Sequence, residues 1–338
     1  GPWPGFFAGW CFVTGKTASV AAMATTAGLY LLPDSPLGAR LAGVAAVVVL
    51  TAVSLRGITR TAQATVAILV PVLAVLALAI VAGLALGEAG RSPGVDPAAV
   101  DVGGVLSAAG VLFFAFAGYA RVATLGEEVV DPQRTIPRAV LGALGITVVL
   151  YGLLTWALVR ALGAHGLATN PAPVRASLEA TLGDGWGVLA VVAAVLASAG
   201  AMLNLLTGIS RTSLAMAREG DLPRPLARVG ERTGTPWVGQ LAVAAAVILL
   251  VLATDVLTIV GFSSFGVLVY YAVANLAALT LRPEQRAVRV PRAVNVLGLV
   301  LCLAIAFTLP AVSVAAMVGV FLVGIGGRWF LQTRRPGR

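Results

Sequence analysis

Two cations stand where a cation is costly. Lys16 interrupts the apolar run from Gly5 to Leu32, and Arg121 interrupts the one from Gly103 to Gly126. An ionisable group at the centre of a membrane-crossing helix costs at least about 2.5 kcal/mol, so each needs a partner or a task. The chemistry open to both is hydrogen bonding to free carbonyls or a fixed charge facing a carboxylate, and a buried lysine can also exchange a proton. Lys16 lies about 16 Å into its run at 1.5 Å per residue, too deep to snorkel. Phe12, Ser19 and Met23 share its face, the mixed lining of a helix beside a cavity. A lysine tied to carbonyls or to an acid for structure alone is the other reading. Arg121 sits in FFAFAGYARVATLGEE, Phe113 to Glu128, an apolar helix with glycines at 110, 118 and 126. Backbone uncoiled at Ala117-Gly118 would leave carbonyls and amides free for a solute. Gly110 and Gly118 could instead serve close helix packing. A guanidinium beside free carbonyls favours the break, with Glu127 and Glu128 as the alternative partners of Arg121.

Other chemistry is poorly supplied. Gly15-Lys16-Thr17 suggests a phosphate loop, but Gly9 stands five residues before Gly15 where that motif needs four, and no strand precedes it. The single histidine, His165, is expected in a loop, and Cys11 and Cys302 lie inside apolar runs, so no metal site or catalytic triad can be assembled. Asp34, Asp101 and Asp255 fall at helix ends, while Thr207, Ser263 and Ser264 have no base in reach. The expectation is a protein that is not an enzyme and has neither cofactor nor metal.

The elements that hold these residues follow from composition. Of 338 residues, 59% are hydrophobic and 11% charged, with mean hydropathy +0.97, against about 45–50% and about 25% in soluble domains. Ten apolar runs are candidate crossings: 5–32, 39–55, 62–86, 103–126, 138–161, 185–212, 236–253, 255–281, 293–309 and 311–331. Thr254 and Pro310 alone divide the last two pairs, which should be tight hairpins. With alternating loops, seventeen of the 23 Lys and Arg residues fall on one side and four (Arg40, Arg91, Arg160, Arg175) on the other, which makes the first side and both termini cytoplasmic. The net charge of +9 is spread between apolar runs and so does not describe a nucleic-acid surface. Between the fourth and fifth runs, Glu127 to Arg138 reads either as a cytoplasmic latch, pairing Glu127, Glu128 and Asp131 with Arg134 and Arg138, or as a solvated loop. The next helix is expected to start at Pro137.

FFAFAGYARVATLGEEVVDPQRTIPRAV (Phe113 to Val140), NLLTGISRTSLAMAREGDLP (Asn204 to Pro223) and GWCFVTGKTASVAAM (Gly9 to Met23) resemble the amino acid permeases of the amino acid/polyamine/organocation superfamily. The resemblance implies an all-α integral membrane protein of about ten transmembrane helices, a partial leucine-transporter-like inverted-repeat fold. Residues 1–338 then form one transporter domain, with three helices of the first repeat in 5–86, the second repeat in 103–281 and two C-terminal helices in 293–331. The first run corresponds to the family's third helix. The family's first two helices have no counterpart, and the start at Gly1-Pro2-Trp3, without methionine, leads us to expect a piece of a longer chain. By the same resemblance, Phe114, Ala115, Phe116, Ala117, Gly118 and Arg121 are the expected substrate site. The backbone of Phe116, Ala117 and Gly118 would face the substrate's amino group, and Phe114 would be its aromatic gate.

Function follows as expectation: secondary active transport of amino acids across the plasma membrane, with membrane lipid as the surroundings. Both mid-run ionisable residues are cations, so a neutral or acidic substrate is favoured and polyamines or cationic amino acids disfavoured. Lys16 is the candidate coupling residue, replacing a bound Na+ or carrying a transported H+. A transport-inactive amino acid sensor would use the same binding chemistry. Oligomeric state, a homodimer included, is open.

Overall fold

The computed structural model of the chain describes residues 1–57, 62–88, 101–118, 129–231, 233–282 and 290–333. Among these, all regular structure is helical: α1 (Pro2–Leu31), α2 (Pro36–Leu55), α3 (Ala62–Leu86), α4 (Val102–Phe116), α5 (Pro132–Thr169), α6 (Pro173–Leu182), α7 (Gly187–Glu219), α8 (Trp237–Ala253), α9 (Val256–Thr280), α10 (Arg292–Thr308) and α11 (Ala311–Thr333), with one 3-10 turn at Arg224–Ala227. Six of them, α2, α3, α5, α7, α9 and α11, are long and apolar enough to cross a membrane. α4, α8 and α10 are apolar but only 15 to 17 residues long.

Each apolar run holds a helix, and local rules place several ends. Ser35 caps α2 by accepting from the Gly38 amide, Asp101 caps α4 through Gly104, and Asp255 caps α9 through Thr258. Two expectations are corrected. α5 starts at Pro132, not at Pro137, because Pro132 itself takes the first-turn position where a missing N–H costs nothing; Pro137 lies inside the helix. His165 is helical, beyond a kink at Gly163 (φ 70°) that turns the end of α5. The stretch between the fifth and sixth runs contains the short helix α6, whose hydrophobic residues are too few to register as a crossing. Of the latch, Asp131 and Arg134 approach to 3.9 Å at an exposed position; Glu127 and Glu128 lie outside the described residues.

The chain divides into two compact units. The first comprises residues 1–16, 101–150 and 260–338. Here small residues let helices approach. A Cβ on Gly110 of α4 would meet Leu309 Cδ2 at 2.8 Å, and one on Gly266 of α9 would meet Met317 Cε at 2.9 Å. Phe265, Leu268, Ala306, Leu309 and Met317 form the buried centre. The start of α1 is tied to α11: Trp10 Nε1 donates to the Val320 carbonyl at 2.9 Å, and Arg328 donates to the Pro2 carbonyl at 2.9 Å with its guanidinium over the Trp3 and Phe6 rings. Arg328, one of the seventeen basic residues assigned to the cytoplasmic side, is thus a buried anchor.

The second unit comprises residues 17–100 and 151–259. α1 and α2 pack through Gly28 against the Ala39 carbonyl and Gly43 against the Ala24 carbonyl. Tyr30, Ala79, Ala172, Leu178 and Ala190 are its buried cluster. Two of the four arginines assigned to the sparsely charged side finish helices here: Arg40 donates to the Leu252 carbonyl of α8 at 2.9 Å, and Arg160 to the Gly87 carbonyl after α3 at 3.0 Å. A third, Arg175, pairs with Glu179 at 2.9 Å.

Candidate substrate and coupling site

The site is built in the first unit, where α1, α4 and α9 meet. Gly15 and Gly266 decide how close α1 and α9 come. A Cβ on Gly15 would stand 3.4 Å from Gly266 Cα and 3.4 Å from the Ser263 carbonyl oxygen. That contact, not phosphate binding, is the use of the glycine in Gly15-Lys16-Thr17. The next residue, Lys16, is 6% exposed and donates from Nζ to the Ala117 carbonyl oxygen at 2.9 Å.

Ala117 is the residue at which α4 stops. Its φ and ψ are −76° and 12°, and its amide bonds back three residues to the Phe114 carbonyl at 3.3 Å, a tightened last turn. It is 3% exposed and packs with Cys11, Val267, Tyr270 and Tyr271. Around it Phe113 meets Tyr271 edge-on at 5.8 Å, Phe12 meets Tyr270 at 6.0 Å, and the two tyrosine rings lie 4.6 Å apart. A cationic donor therefore ends on a backbone carbonyl inside an aromatic wall. A carbonyl oxygen has two lone pairs and suits an ammonium partner, and among the described residues no ion pair neutralises Lys16.

Of the residues singled out in sequence, Lys16 and Ala117 are brought into contact. Phe114 and Phe116 are half-buried, and Ala115 and Gly118 are exposed. Arg121 lies outside the described residues. The two glycines of α4 part company: Gly110 is a packing residue, whereas nothing among the described residues comes within 4 Å of a Cβ built on Gly118. Phe113, one residue before Phe114, makes the ring contact with Tyr271. Phe12 belongs to the mixed face already read around Lys16, whereas Tyr270 and Tyr271 were not selected from sequence. The signal available was a pair of adjacent tyrosines inside an apolar run, which says nothing about the helix they face until α1 and α4 are placed.

The amino acid permease family profile matches residues 1–330. The chain belongs to the amino acid permease family. An uncharacterized transporter of Mycobacterium tuberculosis is 47% identical over 328 residues, 95% of this chain and 72% of that protein. The branched-chain amino acid permease BcaP of Bacillus subtilis is 27% identical over 244 residues, 70% of this chain and 52% of that protein. The vacuolar cationic amino acid transporter 2 of Arabidopsis thaliana is 31% identical over 215 residues, 62% of this chain and 33% of that protein. This permease is accordingly a multi-pass membrane protein of amino acid transport and not an enzyme, and its relatives are permeases of the amino acid/polyamine/organocation superfamily.

Proposed function

We propose that this permease carries neutral or acidic amino acids across the plasma membrane by alternating access, with the substrate at the end of α4 and Lys16 as the coupling residue. The observation that carries the reading is the 2.9 Å hydrogen bond from Lys16 Nζ to the Ala117 carbonyl. The family resemblance assigns the backbone of Phe116, Ala117 and Gly118 to the substrate's amino group. Lys16 then holds the acceptor that an incoming α-ammonium needs. Substrate entry and the hold of Lys16 on Ala117 compete, and that competition is a way to link substrate movement to an H+ or to stand in for Na+. Arg121, assigned to this site from the sequence, suits a carboxylate by bidentate hydrogen bonding. The remaining architecture of the proposal is about ten crossings with both termini cytoplasmic, arranged as a partial leucine-transporter-like fold with repeats in 5–86 and 103–281 and two further helices in 293–331.

Lys16 in this site, and Arg121 assigned to it from the sequence, oppose a cationic substrate, because like charges in low dielectric repel strongly. BcaP is a branched-chain amino acid permease by name, which fits a neutral substrate; the Arabidopsis relative is a cationic transporter by name, and the positive charge of Lys16 and Arg121 sets this chain apart from it. Competition for uptake of labelled leucine into proteoliposomes tests the proposal. Neutral amino acids should inhibit and arginine or putrescine should not; strong inhibition by arginine with none by neutral amino acids would overturn it. Counterflow of labelled substrate distinguishes a carrier from a transport-inactive sensor.

A further inference from the structure

A second polar site lies entirely within the other unit. A cavity of about 60 Å³ opens where the end of α2, the middle of α7, the segment 233–236 and the first turn of α8 come together. Its chemistry is that of a donor set. Gln240, 1% exposed, lines it, and the Gln240 Nε2 has no hydrogen-bond partner among the described residues. A buried amide left so costs free energy unless a ligand or water meets it. Arg211, which is exposed, is the only ionisable residue lining the cavity among the described residues. Hydroxyls of Ser54, Thr207, Thr233 and Thr235 complete the wall; Ser54 and Thr207 are 3.3 Å apart, and Thr233 and Thr235 are 2.7 Å apart. α8, 17 residues long, starts at Trp237 beside the cavity, so its positive end adds to the field.

We infer that this cavity is a binding site for a small oxyanion of the phosphate class, held by Arg211, Gln240 Nε2 and the start of α8. Size limits the ligand. One water needs about 10–15 Å³ of such space, so the cavity holds the equivalent of a few waters and not a bulky amino acid. Sign limits it too, because a guanidinium, an unmet amide donor and a helix N-terminus all favour negative charge and no carboxylate lines the wall among the described residues. The chemistry is shared by free phosphate and by the headgroup phosphate of an anionic lipid. Binding there would tie α2, α7 and α8 together, independently of the substrate site proposed above.

The test uses the full protein in two settings. Thermal unfolding is followed in neutral detergent against rising inorganic phosphate at constant ionic strength, and in nanodiscs of phosphatidylcholine with or without phosphatidylglycerol. A saturable rise of the midpoint with phosphate identifies the free anion; a rise with phosphatidylglycerol alone identifies the headgroup. In either case Gln240→Glu and Arg211→Gln should each weaken the apparent affinity by about tenfold or more, the loss expected for one hydrogen bond involving a charged group. Line broadening of the phosphate ³¹P signal by the unaltered protein supplies a second readout should a variant fail to fold. No midpoint shift and no broadening in either setting, or shifts of equal size and affinity in both variants, would overturn the inference.

Discussion

Replacing Lys16 by methionine keeps a long side chain in the same space and removes the donor. The Ala117 carbonyl then loses a charged hydrogen-bond partner at 2.9 Å in a position only 3% exposed. A hydrogen bond to a charged group contributes about 1.5–3 kcal/mol, and a buried acceptor left without its partner costs about 1–3 kcal/mol. If a substrate ammonium takes over that acceptor, the variant should bind neutral amino acids more tightly by about ten- to a hundredfold, because every 1.4 kcal/mol is tenfold. Coupling should be lost at the same time. In proteoliposomes the variant should exchange labelled leucine by counterflow yet fail to accumulate it, and its uptake should no longer depend on pH. Lys16→Arg, which keeps a cation on the carbonyl but holds its proton throughout, should bind weakly and also fail to accumulate. Unchanged affinity, accumulation and pH profile in Lys16→Met would refute the competition between lysine and substrate.

Three further outcomes concern stability. Gly28→Ala should lower the unfolding midpoint by the equivalent of about 1–3 kcal/mol, since its Cβ runs into the Ala39 backbone carbonyl, which cannot swing away; Gly118→Ala should leave the midpoint unchanged, and parallel thermal scans compare them. Arg328→Ala should cost about 2 kcal/mol or more through loss of the Pro2 hydrogen bond and the Trp3 and Phe6 contacts, with partial recovery in Arg328→Lys, as read by the same scans. Asp255→Ala should cost about 1 kcal/mol at neutral pH by removing the α9 cap. The Thr258 hydroxyl and amide hold the Asp255 carboxyl below its ordinary value, so this contribution is complete above about pH 4 and fades as pH falls through the lower folded value. Scans of both proteins at about pH 7 and about pH 3 should show the gap narrowing.

Helix positions were largely legible because length and apolarity are properties of the chain itself. The run 62–86 coincides with α3, and 236–253 differs from α8 by one residue. Errors arose where two local signals compete. Two prolines five residues apart both suit a helix start, and only the structure shows Pro132 taking it. α6 escaped notice because a ten-residue amphipathic helix carries too little apolar length. Within the site, Lys16 was found because a charge in an apolar run is conspicuous at any resolution of the fold. Tyr270 and Tyr271 escaped because aromatic residues are ordinary there.

The sequence by itself determined that the chain lives in a membrane, that Lys16 needs a partner, and which family its motifs resemble, since each rests on what one segment contains. Which partner Lys16 takes was decided only by tertiary structure, as Ala117 is remote in the chain and arrives through the close approach of Gly15 and Gly266. The same holds for Gly110, whose packing role exists only against Leu309, and for Arg328, whose rings and carbonyl come from the opposite end of the chain. A membrane helix states how much apolar surface it carries and leaves its neighbours to be settled by shape, because lipid and leucine are equally good company for its flanks.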